Sequence, residues 1–110
     1  MADYVPEAGD VVELQFDPQA GHKQAGHRPA LVLSPSRCNA LRGMMICFQM
    51  TSRIKGYVFE VVVSSTPPSA VLTDQLKSLD WRARGAVHKG VVAPQVLAAV
   101  QAQIKALLRP

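Results

Sequence analysis

Apolar and polar residues alternate from Val11 to Phe16, with Val12, Leu14 and Phe16 on one face of an extended chain and Glu13 and Gln15 on the other. This alternation predicts a first strand, entered from a Gly9-Asp10 turn and stopped by Asp17-Pro18. A polar, glycine-bearing loop runs from Gln19 to Gly26; loops held on a rigid scaffold often carry function. Ala30-Leu31-Val32-Leu33 is a continuous apolar run between Pro29 and Pro35, the pattern of a buried strand. Pro29 also biases Arg28 toward an extended conformation. A turn is expected around Asn39 to Gly43, a third strand over Met44 to Met50 and a fourth over Phe59 to Val63. Thr66-Pro67-Pro68-Ser69 breaks the sheet. Val71-Leu72 and Gln75 to Leu79 then read as two short strands, the second with Leu76 and Leu79 inside.

Trp81-Arg82-Ala83-Arg84-Gly85 reads as a helical turn closed by glycine. Beyond it the period changes. Pro94 suits a first helical turn, and Leu97, Val100, Ile104 and Leu107 recur at steps of three and four. This predicts an amphipathic helix ending near Leu108, with Gln101, Gln103 and Lys105 toward water. Many short strands and one terminal helix predict a mainly β (α+β) fold, a small bent antiparallel sheet or barrel with a helix packed on it. At 110 residues the chain is expected to be one domain, 1–110, with one buried core.

Composition supports a globular protein, with 48% hydrophobic and 18% charged residues. The net charge of +4 says little by itself; its distribution says more. Between Asp17 and Glu60 there is no acidic residue, while Lys23, Arg28, Arg37, Arg42, Arg53 and Lys55 lie there with His22 and His27. A run of one sign predicts a polyanionic partner. Cys38 and Cys47 have no metal-ligand spacing and read as reduced thiols. The N-terminus lacks the character of a signal peptide, and no apolar run has the length of a membrane span, so a cytoplasmic protein is expected. No metal-binding motif, phosphate-cradling glycine loop or nucleophile triad is present, and neither a cofactor nor a metal is expected.

Arg28 is the first candidate for chemistry. A guanidinium matches phosphate oxygens and can stabilise the extra charge of a five-coordinate phosphoryl transition state. A surface arginine, or one paired with Glu60 or Asp17, fits the same four residues equally well. Thr51, at the end of the third strand, offers a hydroxyl donor, or is an ordinary β-branched strand residue. Lys55 and Tyr57 combine a phosphate contact with a stacking face, or form a hairpin turn with a core aromatic. His22 and His27 are suited to proton transfer near neutrality, or are simply solvated. His88 is expected in a turn with Lys89-Gly90 and is given no role. Trp81 fits the core, a dimer interface or a partner surface.

Read in order, a set of segments resembles one family over nearly the full length. They are Tyr4-Val5-Pro6 with Gly9-Asp10, Phe16-Asp17-Pro18, Gln24-Ala25-Gly26-His27-Arg28-Pro29-Ala30 and Val32-Leu33-Ser34-Pro35. Lys55-Gly56-Tyr57 with Phe59-Glu60-Val61, Asp74-Gln75 with Lys77-Ser78, Trp81 through Ala86, Lys89-Gly90 and Val92-Ala93-Pro94 follow. The chain resembles the MazF/PemK family of bacterial toxin endoribonucleases. The resemblance implies an SH3-like barrel with a C-terminal helix, related to PemK and CcdB, acting as a homodimer. It implies metal-independent, sequence-selective cleavage of single-stranded mRNA by the ribose 2′-hydroxyl, leaving 2′,3′-cyclic phosphate and 5′-hydroxyl ends. It also implies inhibition by a MazE-like antitoxin with an acidic tail.

Carried over by position, the family's catalytic arginine and threonine fall on Arg28 and Thr51. Lys23, Gln24, His27, Ser52, Lys55 and Tyr57 become candidates for RNA binding. The chain departs from some members at Lys23, where they carry glutamate, and at Glu13, where they carry an apolar aromatic. Arginine deprotonates with great difficulty, so Arg28 fits a charge stabiliser, and proton removal falls to His27, His22 or water. Two other functions share the barrel: a gyrase poison, whose C-terminal aromatic segment this chain replaces with Ala106-Leu107-Leu108-Arg109-Pro110, and a non-catalytic SH3-like binding module.

Overall fold

The computed structural model describes residues 3–16 and 27–109. Six strands are joined in chain order by two helices: β1 (Asp10–Gln15), β2 (His27–Val32), α1 (Ser36–Arg42), β3 (Met45–Thr51), β4 (Glu60–Ser65), β5 (Pro68–Leu79), β6 (Val87–Val91) and α2 (Pro94–Leu108). The strands form one antiparallel sheet in the order β4-β5-β3-β2-β1-β6. Irregular pairings in β1–β6, β3–β5 and β4–β5 increase the local twist and curl the sheet.

Apolar side chains fill both faces of the curl. Val12, Leu14, Ala30, Val32, Met45, Cys47, Leu79 and Trp81 form one cluster. Leu31, Phe48, Met50 and Val71 form another, with Val92 and with Val100 of α2. Successive strand residues point to opposite faces. Ala30 and Val32 therefore enter the first cluster and Leu31 the second, which is why β2 reads as an uninterrupted apolar run. The helix α2 spans the residues its periodicity predicts, although Leu107 is exposed and only Val100 is fully buried.

The structure corrects several local expectations. The turn expected around Asn39 to Gly43 is the last part of helix α1, too short for its period to stand out. Gly43 ends it in the left-handed region (φ 72°), where a glycine fits without strain, and its N–H donates to the Asn39 carbonyl at 2.9 Å. The two short strands expected at Val71-Leu72 and Gln75–Leu79 are one strand, β5, irregular between them. Leu76 is exposed, not inside, whereas Leu79 is buried. His88 lies in β6, an edge strand paired with β1, not in a turn. There its ring meets Tyr4 edge-on at 5.4 Å, and Tyr4 donates to Asp10 at 2.6 Å. Gln103 does not simply face water: it accepts from the Thr73 hydroxyl (3.2 Å) and donates to the Val58 carbonyl (3.2 Å), tying α2 to the segment before β4. Trp81 is a core residue whose Nε1 donates to the Asn39 carbonyl at 3.0 Å.

Candidate functional site

The site is built on the open end of the β2–β3 pair. Ala30 faces Gln49, Leu31 faces Phe48 and Val32 faces Cys47. Carried two residues further, this antiparallel register sets Arg28, at the start of β2, across from Thr51, at the end of β3. Pro29 cannot occupy a helical continuation and holds the chain extended there. Arg28 and Thr51 line one cleft of about 520 Å³ with His27, Ser52 and Arg53.

The hydrogen bonds give that cleft its chemistry. Thr51 Oγ1 accepts the Arg53 N–H at 3.0 Å, which fixes the hydroxyl and leaves its own proton to be donated. Arg28 is exposed and has no ion pair among the described residues. The pairing with Glu60 is not formed, and Asp17 lies outside the described residues. Glu60 is engaged elsewhere: its carboxylate accepts the N–H groups of Lys55 and Tyr57, each at 3.1 Å. This clamps the loop in which Gly56 takes a left-handed conformation (φ 74°). His27 Nδ1 lies 3.9 Å from Glu13 Oε1, with both side chains about half exposed.

A second cleft of about 290 Å³ adjoins the first, sharing Thr51, Arg53 and Leu72 with it. Lys55, Tyr57, Glu60 and, from β5, Asp74 and Gln75 complete its lining. Tyr57 is not a core aromatic. The residue is 56% exposed, and its ring meets that of Phe59 edge-on at 6.1 Å. Thus Arg28, Thr51, His27, Ser52, Lys55 and Tyr57 converge on two joined clefts, whereas Lys23, Gln24 and His22 lie outside the described residues.

The acid-free run is divided by the fold. Arg37 and Arg42 sit on α1, which follows the far end of β2 and precedes the far end of β3. A six-residue strand is roughly 20 Å long, so these two cations lie well away from the cleft. Arg53, Glu60, Asp74 and Gln75 were given no site role by sequence. Arg53 was visible only as one charge in the run, Glu60 as a possible partner of Arg28, and Asp74-Gln75 as one of the resembling segments.

Both cysteines are free, Cys38 exposed and Cys47 buried. Burial pushes the Cys47 thiol up to about 12. Among the described residues no three His, Cys, Asp or Glu side chains gather as metal ligands, and no helix is long and apolar enough to cross a membrane.

Residues 7–108 match a family described as PemK-like, MazF-like toxin of type II toxin-antitoxin system. The endoribonuclease toxin MazF of Escherichia coli strain K12 is 51% identical over 106 residues, 96% of each chain. The endoribonuclease toxin ChpB of the same strain is 33% identical over 109 residues, 93% of each chain. A crystal structure of MazE-MazF from Deinococcus radiodurans superposes with a TM-score of 0.86 and 46% identity, covering 96% of this chain and 97% of that one.

Proposed function

The chain belongs to the PemK-like, MazF-like family of type II toxin–antitoxin toxins, and we propose from that premise that it is a metal-independent endoribonuclease working at the Arg28–Thr51 cleft. The substrate is single-stranded mRNA, because a base can be read only where its Watson–Crick edge is exposed. The ribose 2′-oxygen attacks the neighbouring phosphorus while its proton passes to His27 or to water. The bond to the 5′-oxygen breaks, and that oxygen takes up a proton. The products are a 2′,3′-cyclic phosphate and a 5′-hydroxyl end.

Charge accumulates on the non-bridging oxygens as the phosphorus becomes five-coordinate. Arg28 meets that charge with a fixed cation, and the Thr51 hydroxyl donates to one of the same oxygens. Lys23, Gln24, His27, Ser52, Lys55 and Tyr57 hold the RNA on either side, Lys55 by charge and Tyr57 by stacking. The observation that supports this reading is that Arg28 and Thr51, distant in sequence, line one cleft. The protein acts in the cytoplasm as a homodimer, and a MazE-like antitoxin with an acidic tail covers the same basic groove.

The test is to incubate wild type and Arg28→Ala with a long RNA in excess EDTA and map the 5′ ends. Discrete 5′-hydroxyl ends are expected from wild type, formed about 10²–10³-fold more slowly by the variant. RNA left intact by wild type would favour a binding module, and a block of gyrase supercoiling would favour a gyrase poison.

A further inference from the structure

One wall of the smaller cleft is made by a break in regular pairing. From Phe48 to Met50, β3 advances two residues, while their partners on β5, Leu76 and Val71, are five apart. Leu72 to Gln75 are thereby thrown out of the β3 ladder. Leu72 pairs with Glu60 of β4, and the Thr73 N–H donates to the Phe59 carbonyl at 2.7 Å. Asp74 and Gln75 are left exposed, lining the cleft together with Tyr57. Bulges beside functional sites commonly re-aim side chains in this way.

The carboxylate of Asp74 is out of place for a surface that only attracts phosphates. Glu60, the other acid of this cleft, is occupied by the N–H groups of Lys55 and Tyr57. Asp74 has no side-chain hydrogen bond or ion pair among the described residues. A free carboxylate repels a polyanion, so it weakens RNA binding unless an RNA donor meets it. The bases supply such donors as the exocyclic amino groups of adenine, cytosine and guanine, and carboxylates accept from them. Uracil has no amino group; its one Watson–Crick donor, N3–H, is flanked by two carbonyl oxygens that the carboxylate would repel. Tyr57 offers a ring face and Leu72 an apolar floor, the surroundings a base needs on leaving its stack.

We propose that the smaller cleft is a base-reading subsite, in which Asp74 accepts a hydrogen bond from the exocyclic amino group of a base next to the scissile phosphate and Gln75 presents its amide to the same edge. The enzyme then selects an amino-bearing base over uracil at that position. The inference rests on the proposed endoribonuclease function and names what its second cleft reads.

The test uses short RNAs containing a mapped cut site. At each flanking position the base is replaced by its analogue lacking the amino group: purine for adenine, hypoxanthine for guanine, pyrimidinone for cytosine. With wild type, removal of the amino group at one position should lower kcat/KM by about tenfold or more. With Asp74→Ala, which removes the acceptor, most of that difference should vanish at that position, while preferences elsewhere persist. Asp74→Val replaces Asp74→Ala if the latter does not fold. The subsite is overturned if no position responds to amino removal in wild type, if the response survives in the Asp74 variants, or if those variants slow all RNAs equally. Wild type that leaves every RNA intact would instead sink the endoribonuclease reading, and the subsite with it.

Discussion

The two ends of the β2–β3 pair draw on similar residues and use them in opposite ways. At the α1 end the buried polar groups are consumed internally, while Arg37 and Arg42 stay exposed on α1. Asn39 is 1% exposed; its Oδ1 accepts from Ser34 at 2.6 Å and its amide donates to the carbonyls of Pro6 (2.8 Å) and Ser34 (2.9 Å). Its own carbonyl accepts from Trp81 and from Gly43. Arg82 is laid over the Trp81 ring, 4.3 Å from its centroid. At the other end Arg28, Ser52 and Arg53 are exposed, and the one fixed hydroxyl, that of Thr51, still has a proton to give. Buried polar groups are satisfied because an unmade hydrogen bond in the interior is costly. Exposed groups gathered in a cleft and lacking partners are available to a ligand. The burial and satisfaction of polar groups, more than charge density along the chain, separate the end that holds the fold from the end proposed to meet RNA.

The largest effect that separates the two ends is on catalysis. Arg28→Ala or Thr51→Ala should lower kcat/KM by about 10²–10³-fold with little change in melting temperature. Arg37→Ala and Arg42→Ala, from the same acid-free run, should each cost less than about threefold. Comparable losses at all four positions would mean that the RNA footprint covers both ends. Asn39→Ala should show the reverse signature. Denaturant unfolding should report a loss of about 2–4 kcal/mol, since several bonded partners are orphaned, while the rate per folded molecule is kept.

Glu60 tests whether the cleft end has structure of its own. Because its carboxylate holds the Lys55–Tyr57 loop, Glu60→Ala should raise KM about five- to tenfold and leave kcat within about twofold. A fall in kcat alone would show that the loop acts on the reacting phosphate. The smallest effect concerns Cys47, midway along β3. Its thiol is held protonated by burial, with a folded value raised from 9.0 to about 12. A raised value stabilises the fold fully below the unfolded value and loses that contribution as pH climbs toward the folded one. Stability should therefore decline between about pH 9 and 12, by about 1.4 kcal/mol at pH 10. The gap between wild type and Cys47→Ala should narrow over the same window.

The legible parts of the fold were those whose pattern reports a single environment. α2 showed its period because one face packs on the sheet, and β1 because Val12 and Leu14 alternate with half-buried residues. β2 was legible by its unbroken apolar run. α1 was not, because the side chain that anchors it is Asn39, a residue that reads as a turn former. β6 was missed because Val-His-Lys-Gly-Val is an exposed edge strand with no apolar stripe to betray it. In the site, Arg28 was marked by Pro29 and Thr51 by its place at a strand end. Asp74 and Glu60 appeared only within resembling segments, Glu60 also as a possible partner of Arg28: the role proposed for the one comes from a change of register, and that of the other from a loop closing on its carboxylate.

The slack in β5 has an evolutionary consequence. Leu72 and Thr73 are tied to β4 and α2, but changes at the exposed Asp74 and Gln75 need not disturb the ladder with β3, because Phe48 and Met50 are already paired across a mismatch in length. If the proposed subsite reads a base there, descendants of this chain would be free to recut those two positions and acquire a new recognition word while keeping the same chemical blade.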